Sequence, residues 1–232
     1  MLTPFGPEIW TADGVPVATG GFRYPTRMTL IRLSGKDLFV CSPVRLSESL
    51  RRAVDALGEV RYLIAPNSLH HLFVAEWTRA YPAAEIHAAP GTRSKLKGLV
   101  IAAELEDRPH PAWRDEIDQI VVPGNAITRE VVFFHRPSRT VVFTDLIQQF
   151  PAGWFPGWRG VVAKWDLMLG SEPSVPRKFR FTFFDRRAAR ASLQRILAWP
   201  ADRVLMAHGT PVQRDGQAFV RRAFGWLIGT NR

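Results

Sequence analysis

The chain has a single cysteine, Cys41, in 232 residues. One cysteine excludes an internal disulfide and predicts a reducing, cytoplasmic setting. No stretch of 18 uncharged apolar residues occurs, so no transmembrane helix is expected. The opening MLTPFGPEIW has neither a positive n-region nor an apolar h-region, and no signal peptide is evident. Lysine is scarce, with five of the 31 Lys+Arg at positions 36, 95, 97, 164 and 178. The net charge of +10 is therefore an arginine surplus, spread along the chain and densest at Arg177, Lys178 and Arg180 and at Arg186, Arg187 and Arg190, with no basic stretch interleaved with stacking aromatics in a recognised RNA-binding pattern. Nucleic acid is not an expected partner. Repeats, low-complexity tracts and an evident linker are missing too, and one domain spanning 1–232 is expected.

The apolar content, 46%, is enough for a core without staples. EIWTADG, MTLIRLSG and KDLFVCSP read as short strands, with SGK as a hairpin turn between the last two. Ser47 is a fit N-cap for a helix to about Leu57, where Leu50, Val54 and Leu57 repeat at helical spacing. RYLIA is a strand, LFVAEWTRAYP a helix stopped at Pro82, and AEIHAAPG a short strand. EVVFFHRPSRTVVFTDLI is a hairpin turning at HRPSR, where His135 is expected to be solvated or to bond within the turn. Asp185 caps a helix that ends before Pro200, DRVLMAHG is a last buried strand, and QAFVRRAFGWLIG is an amphipathic helix. That helix is expected to pack on a sheet, and peripheral membrane contact is not expected. Strands first and alternating strands and helices afterwards predict sheets covered by helices.

Polar elements follow three apolar strands: His70-His71 in PNSLHHLF, Asp145 in VVFTDL, and His208 in VLMAHG. Strand ends of layered folds aim their loops at one rim, where sites form. Three imidazoles and a carboxylate make a shell for a borderline metal, and imidazole suits Zn, Fe, Mn or Ni. Cys41 and Ser42 end another strand; Cys41 is expected to be a buried apolar residue. Trp154, Trp158 and Trp165 cluster after Asp145, as an aromatic lid, an interfacial patch or core packing.

The order strand–histidine loop–helix, hairpin–TDL, then helix–strand–AHG resembles the metallo-β-lactamase superfamily. Within it, PNSLHHLF, EVVFFHRPSRTVVFTDL and AHGTPV resemble a poorly characterised family of unknown function. The resemblance implies an α/β (α+β) four-layer αββα sandwich with a metal site at the sheet edge. The superfamily's loop reads His-x-His-x-Asp-His. Laid on it, Pro66 and Ser68 stand for the first two histidines, His70 for the aspartate and His71 for the last histidine. Asn125 in VPGNAI stands for the next histidine, Asp145 for the bridging aspartate and His208 for the final histidine. The resemblance thus implies that one metal site is lost, leaving His70, His71, Asp145 and His208 as ligands of a single divalent ion, with zinc a candidate. Ser68, Asn125 and Trp154 are expected near the pocket, and no organic cofactor is expected.

A metal-dependent hydrolase acting on a small molecule is the leading expectation. Four protein ligands would close a tetrahedral shell, whereas one histidine staying out would leave a position open for chemistry. A catalytically inactive ligand-binding or structural protein and a basic nucleic-acid-binding protein stay open as alternatives. Substrate, catalytic residues and oligomeric state are not legible.

Overall fold

The computed structural model describes residues 1–229, and residues 230–232 of the expected domain lie outside the described residues. Seven strands form the first sheet in sequence order: β1 (Thr3–Gly6), β2 (Ile9–Thr19), β3 (Phe22–Arg32), β4 (Asp37–Cys41), β5 (Glu59–Ala65), β6 (Glu85–Ala88) and β7 (Ile101–Glu104). β1 to β4 pair antiparallel, and β4 to β7 pair parallel. The second sheet holds β8 (Ile117–Val122), β9 (Glu130–His135), β10 (Thr140–Val142) and β11 (Arg203–Leu205), in the order β11-β10-β9-β8. Its pairings are antiparallel except β10 with β11.

Strand alternation explains the layering. In β4, Leu38 and Val40 enter one core while Phe39 and Cys41 enter another. In β9, Val131 and Phe133 join Phe39 between the sheets, while Val132 and Phe134 face outward into a third core. With both faces buried, these strands read as continuous apolar runs. Helices α1 (Glu48–Asp55) and α2 (Val74–Ala80) cover the first sheet through Leu50, Val54, Val74 and Trp77. The helix α3 (Trp158–Trp165) belongs to a smaller cluster with Phe150 and Phe155. On the second sheet lie α4 (Arg177–Thr182), α5 (Arg186–Ile196), α6 (Gly216–Ala223) and α7 (Gly225–Ile228). The result is a four-layer αββα sandwich. The C-terminal helix packs as expected, burying Phe219 and Val220.

Both expected caps form: Ser47 Oγ accepts from Leu50 N at 3.2 Å and Asp185 Oδ1 from Ala188 N at 2.9 Å. His135 bonds within its turn, Nδ1 to Ser138 Oγ at 2.7 Å, and is buried, which pushes its pKa down to about 4. The β2–β3 hairpin runs far beyond the two stretches legible in sequence, with 11 residues in each strand. Pro16 and Pro25 look like breakers, yet both fall where the register shifts between Gly14 and Val17, so neither removes a ladder bond. Gly20 and Gly21, at φ 57° and 80°, supply the left-handed turn.

Candidate metal centre

Parallel strands end on a common edge, so the loops after β4 and β5 share one rim. β10 and β11 bring the loops carrying Asp145 and His208 to meet it. Asp145 is 4% exposed and is the hub. Its Oδ2 accepts from Asn67 Nδ2 at 2.9 Å and lies 3.0 Å from His70 Nε2. Its Oδ1 accepts from Gln148 Nε2 at 3.2 Å and lies 3.3 Å from His208 Nε2.

The far side of each imidazole decides what this means. His208 Nδ1 is 2.6 Å from the Pro25 carbonyl, which can only accept, so Nδ1 carries the hydrogen. A neutral His208 then turns the bare lone pair of Nε2 toward a carboxylate, and only a proton or a metal ion makes that contact attractive. His70 Nδ1 is likewise engaged from outside, 2.5 Å from Ser42 Oγ. Histidine ligands held this way by an outer oxygen are oriented for a metal on the other nitrogen. A tetrahedral ion about 2.0–2.1 Å from its donors separates neighbouring donors by about 3.4 Å. The contacts of 3.0 and 3.3 Å are near that edge length, and one donor atom from each of the three residues lies within 4.8 Å of the others. The donor set therefore fits a divalent ion.

With protons in place of an ion, the same contacts are likewise attractive. Burial would raise the Asp145 pKa, but the charge of His70 and the hydrogen bonds from His208 and His70 hold it well below 3.8. Burial would lower His70, but the charge of Asp145, its hydrogen bond and the charge of Glu130 leave its pKa raised.

Two residues outside the expected set build the frame. Asn67 Oδ1 accepts from Leu69 N at 2.7 Å and His70 N at 3.1 Å, while its Nδ2 reaches Thr144 Oγ1 at 2.9 Å as well as Asp145. Glu130, fully buried, accepts from Thr144 N at 2.8 Å, Asp145 N at 2.7 Å and Leu146 N at 3.1 Å. Burial first, then the charge of Asp145, raises the Glu130 pKa against the pull of these N–H donors. A carboxylate opening the otherwise apolar EVVFF was the available signal for Glu130; an Asx-type turn was the one for Asn67.

The structure does not bring His71 to the cluster. The turn that closes on Asn67 sends the two adjacent side chains apart, and His71 Nδ1 bonds the Ser68 carbonyl at 2.9 Å. Ser68 lines the cavity beside the cluster, with its Oγ 3.2 Å from Thr128 Oγ1. Asn125 is outside the cavity wall: its Nδ2 donates to Phe179 O of α4 and its Oδ1 accepts from Ile127 N and Thr128 N of its own turn, so both ends are spent away from the site. Trp154 is outside it too, because its Nε1 donates to Arg23 O at 2.7 Å and its ring packs by Phe150 and Phe155. Cys41 is buried, and burial pushes its thiol pKa far up, which removes it as a nucleophile. The cavity encloses about 480 Å³, with His70, Asp145 and His208 in its wall. Phe22, Tyr24, Phe73 and Phe179 give it apolar sides, and two of the five lysines, Lys95 and Lys178, also line it. Lys178 Nζ lies 3.3 Å from Tyr24 OH and 3.4 Å from Gln148 Oε1.

Among solved structures, the chain is similar to a metallo-beta-lactamase from Pontibacter korlensis, with 10% identity, a TM-score of 0.65 and 99% of each chain covered. It is similar to the DIM-1 metallo-beta-lactamase, with 13% identity, a TM-score of 0.65, and 100% of this chain and 98% of that one covered. It is also similar to the Flv1 flavodiiron core from Synechocystis sp. PCC6803, with 13% identity, a TM-score of 0.63, and 98% of this chain against 60% of that one. At such identities the likeness is one of fold, the metallo-β-lactamase fold. No curated protein matches the chain. Residues 7–158, which hold His70 and Asp145 but not His208, match the family model described as "Domain of unknown function (DUF4336)", and the chain belongs to that family.

Proposed function

We propose that the chain, as one domain, is a hydrolase-like protein with a single divalent metal held by His70, Asp145 and His208. The observation that carries this reading is the arrangement of the two histidines. Each has its Nδ1 taken by an oxygen on the far side of its ring, and each aims its Nε2 at the same buried carboxylate. Pro66, Ser68 and Asn125 offer nothing comparable for a second ion, since a hydroxyl and an amide are weak partners for a borderline metal. Nitrogen and carboxylate donors suit zinc, although Fe, Mn and Ni accept them as well.

Three protein ligands leave a coordination position open, as in catalytic rather than structural zinc sites. A divalent ion there would lower the pKa of a water and polarise a carbonyl or phosphoryl oxygen. His71 faces the same cavity with Nδ1 tied to Ser68 O, so Nε2 is its free acceptor. Burial lowers its pKa, the Ser68 bond opposes this, and Lys95 and His70 lower it further. It is a neutral base at physiological pH, suited to take a proton. Lys95 and Lys178 favour a small substrate with an anionic group, and the apolar walls favour an apolar body. The single buried cysteine suits a cytoplasmic, reducing setting.

Metal analysis of protein prepared without a histidine tag or chelator tests the reading. About one equivalent per chain is expected, falling below about a tenth in His208→Ala. Two equivalents in the wild type, or an undiminished one in His208→Ala, would refute it. Hydrolysis of anionic esters and phosphoesters, stopped by chelation, separates an enzyme from a structural or ligand-binding protein.

One observation favours a second reading. Ser42 Oγ, His70 and Asp145 form a continuous chain, 2.5 Å and then 3.0 Å, and Ser42 sits in the left-handed region at φ 56°, a strained backbone for serine. Here Ser42 Oγ would pass its proton to His70 Nδ1 while bonding to the acyl carbon of an ester, and Asp145 would hold the Nε2 hydrogen. The ester C–O bond would break with His70 returning that proton to the leaving alcohol, and water would release the acid. Esterase activity that survives chelation and is lost in Ser42→Ala would select this reading over the metal one.

A further inference from the structure

Exposed apolar side chains are concentrated in one stretch. Six of the large exposed ones lie between residues 158 and 184: Trp158, Val161, Val162, Trp165, Phe181 and Phe184. The first four fall at i, i+3, i+4 and i+7 of α3, which makes one stripe along the helix, while Ala163 on the other side is buried. Trp158, Val161 and Trp165 are 60%, 72% and 60% exposed, far beyond what half-buried packing leaves. The stripe is continuous with its surroundings. Trp165 meets Phe181 at 6.4 Å between ring centroids, and Trp158 meets Phe22 at 5.8 Å. Phe22 is also part of the cavity wall, so the apolar face reaches the cavity mouth.

The same stretch is basic. Residues 158–190 hold eight Lys+Arg against three Asp+Glu, and of these Arg159 and Arg177 lie against the stripe, over the rings of Trp158 and Trp165. Of the three acids, Asp166 is buried, 3.6 Å from Lys178 Nζ.

We propose that this face docks on an anionic lipid bilayer, with α3 lying in the interface. A short helix that exposes tryptophan and valine on one side and basic groups around it is matched to the boundary between headgroups and acyl chains. Anionic headgroups meet the basic rim, and the apolar stripe enters the phase it favours. Among the described residues no helix is long and apolar enough to cross a membrane, and the contact proposed is a peripheral one. Two other occupants fit less well. Nucleic acid stacks on aromatic faces, but Arg159 Cζ lies 4.7 Å over the Trp158 ring and Arg177 Cζ lies 5.4 Å over the Trp165 ring. Val161 and Val162 have no face to stack on. A second copy of the chain would set like charges against each other.

Co-sedimentation tests the proposal with two vesicle probes, phosphatidylcholine alone and phosphatidylcholine with about one-third phosphatidylglycerol. Binding to the anionic vesicles is expected to persist at about 150 mM salt and to exceed binding to the neutral ones at least about tenfold. Trp158→Ser with Trp165→Ser should weaken it by at least about tenfold, with an unchanged melting temperature. Val161→Asp, at a more exposed position, should weaken it in the same direction if the tryptophan pair disturbs folding. The proposal is overturned by a wild type that stays in the supernatant, or by vesicle binding indifferent to both variants. It is overturned equally by a preference for a single-stranded oligonucleotide that depends on the same tryptophans, or by a dimer in sedimentation that the variants dissolve.

Discussion

Histidines meet carboxylates in two regions of this molecule, and the outcomes are opposite. At the rim, His70 and His208 flank Asp145, whose side chain is 5% exposed and which also accepts from Asn67 and Gln148. At the other region, His87 is equally buried but its carboxylate partner is Glu85, 53% exposed, 3.2 Å away. His110 and Trp113 crowd the His87 ring, each at 4.9 Å between centroids, beside a second cavity of about 310 Å³. The difference shows in proton affinity. Burial lowers the His87 pKa, and the exposed Glu85 does not reverse it, whereas the buried Asp145 does reverse it at His70. A histidine pair gathers the donors of a candidate cation site where the carboxylate is buried with it. Among the described residues, only His70, Asp145 and His208 bring three metal-ligating side chains together.

The strongest way to break this contrast is to remove each carboxylate. Asp145→Ala leaves two imidazoles, Asn67 and Gln148 without this buried acceptor, and should cost about 3 kcal/mol of stability. Glu85→Ala removes an exposed partner and should cost under about 0.5 kcal/mol. Denaturant melts of both, with unchanged m-values, give the comparison. Equal costs would show that the burial of the carboxylate is not what distinguishes the regions.

The metal separates the regions next. His70→Ala and His208→Ala should each weaken zinc or manganese binding by at least about tenfold, because each removes a donor from a three-residue set. Asn67→Ala, which leaves all three donors but frees the loop, should weaken it less. Competition against a chromophoric chelator measures all three; an Asn67→Ala defect as large as that of His208→Ala would make the loop, and not the donor set, the determinant.

The two regions should also titrate with opposite sign in metal-free protein. The His70 pKa is raised above 6.5, so its contribution is complete below about pH 6.5 and is lost as pH rises through the folded value. The His87 pKa is lowered from 6.5, so its contribution is present above that value and is lost as pH falls. Asp145, held well below 3.8, keeps its contribution until strongly acid conditions. Melting temperatures from pH 5 to about 8.5 should show His70→Gln flattening the alkaline limb and His87→Gln the acid one. Both variants flattening the same limb would contradict the assignment.

Much of this was legible in the chain, and the failures have physical reasons. Apolar runs closed by Pro, Gly and Ser marked the strands, and the caps at Ser47 and Asp185 formed because a capping oxygen needs only local sequence. Asp145 and His208 lie beside His70 because they follow strands that end on one rim. The long β2–β3 hairpin was hidden because a bulge that tolerates Pro16 and Pro25 is a property of the pairing, not of either strand. Ser42 was visible as a loop residue, but its contact with His70 depends on β4 and β5 running parallel side by side. Glu130 and Asn67 act across 63 residues of sequence, a distance at which spacing carries no information.

The smallest expected effect falls on the residue that sequence pairs most closely with the site. His71 is adjacent to His70, yet its Nδ1 is bound to the Ser68 carbonyl, and it lies outside the cluster of donors. His71 neither gives the ion a lone pair nor hydrogen-bonds a donor residue, which leaves charge as its route of influence, and with its lowered pKa it is neutral near pH 7. His71→Ala should therefore change metal affinity by less than about threefold, against at least about tenfold for its neighbour. If His71 serves as the base, the same variant should lower kcat while leaving metal content and KM nearly unchanged, and the acid limb of the rate profile should disappear with it. Loss of the metal in His71→Ala would return it to the ligand set, closing the shell at four protein donors and favouring a structural ion over a catalytic one.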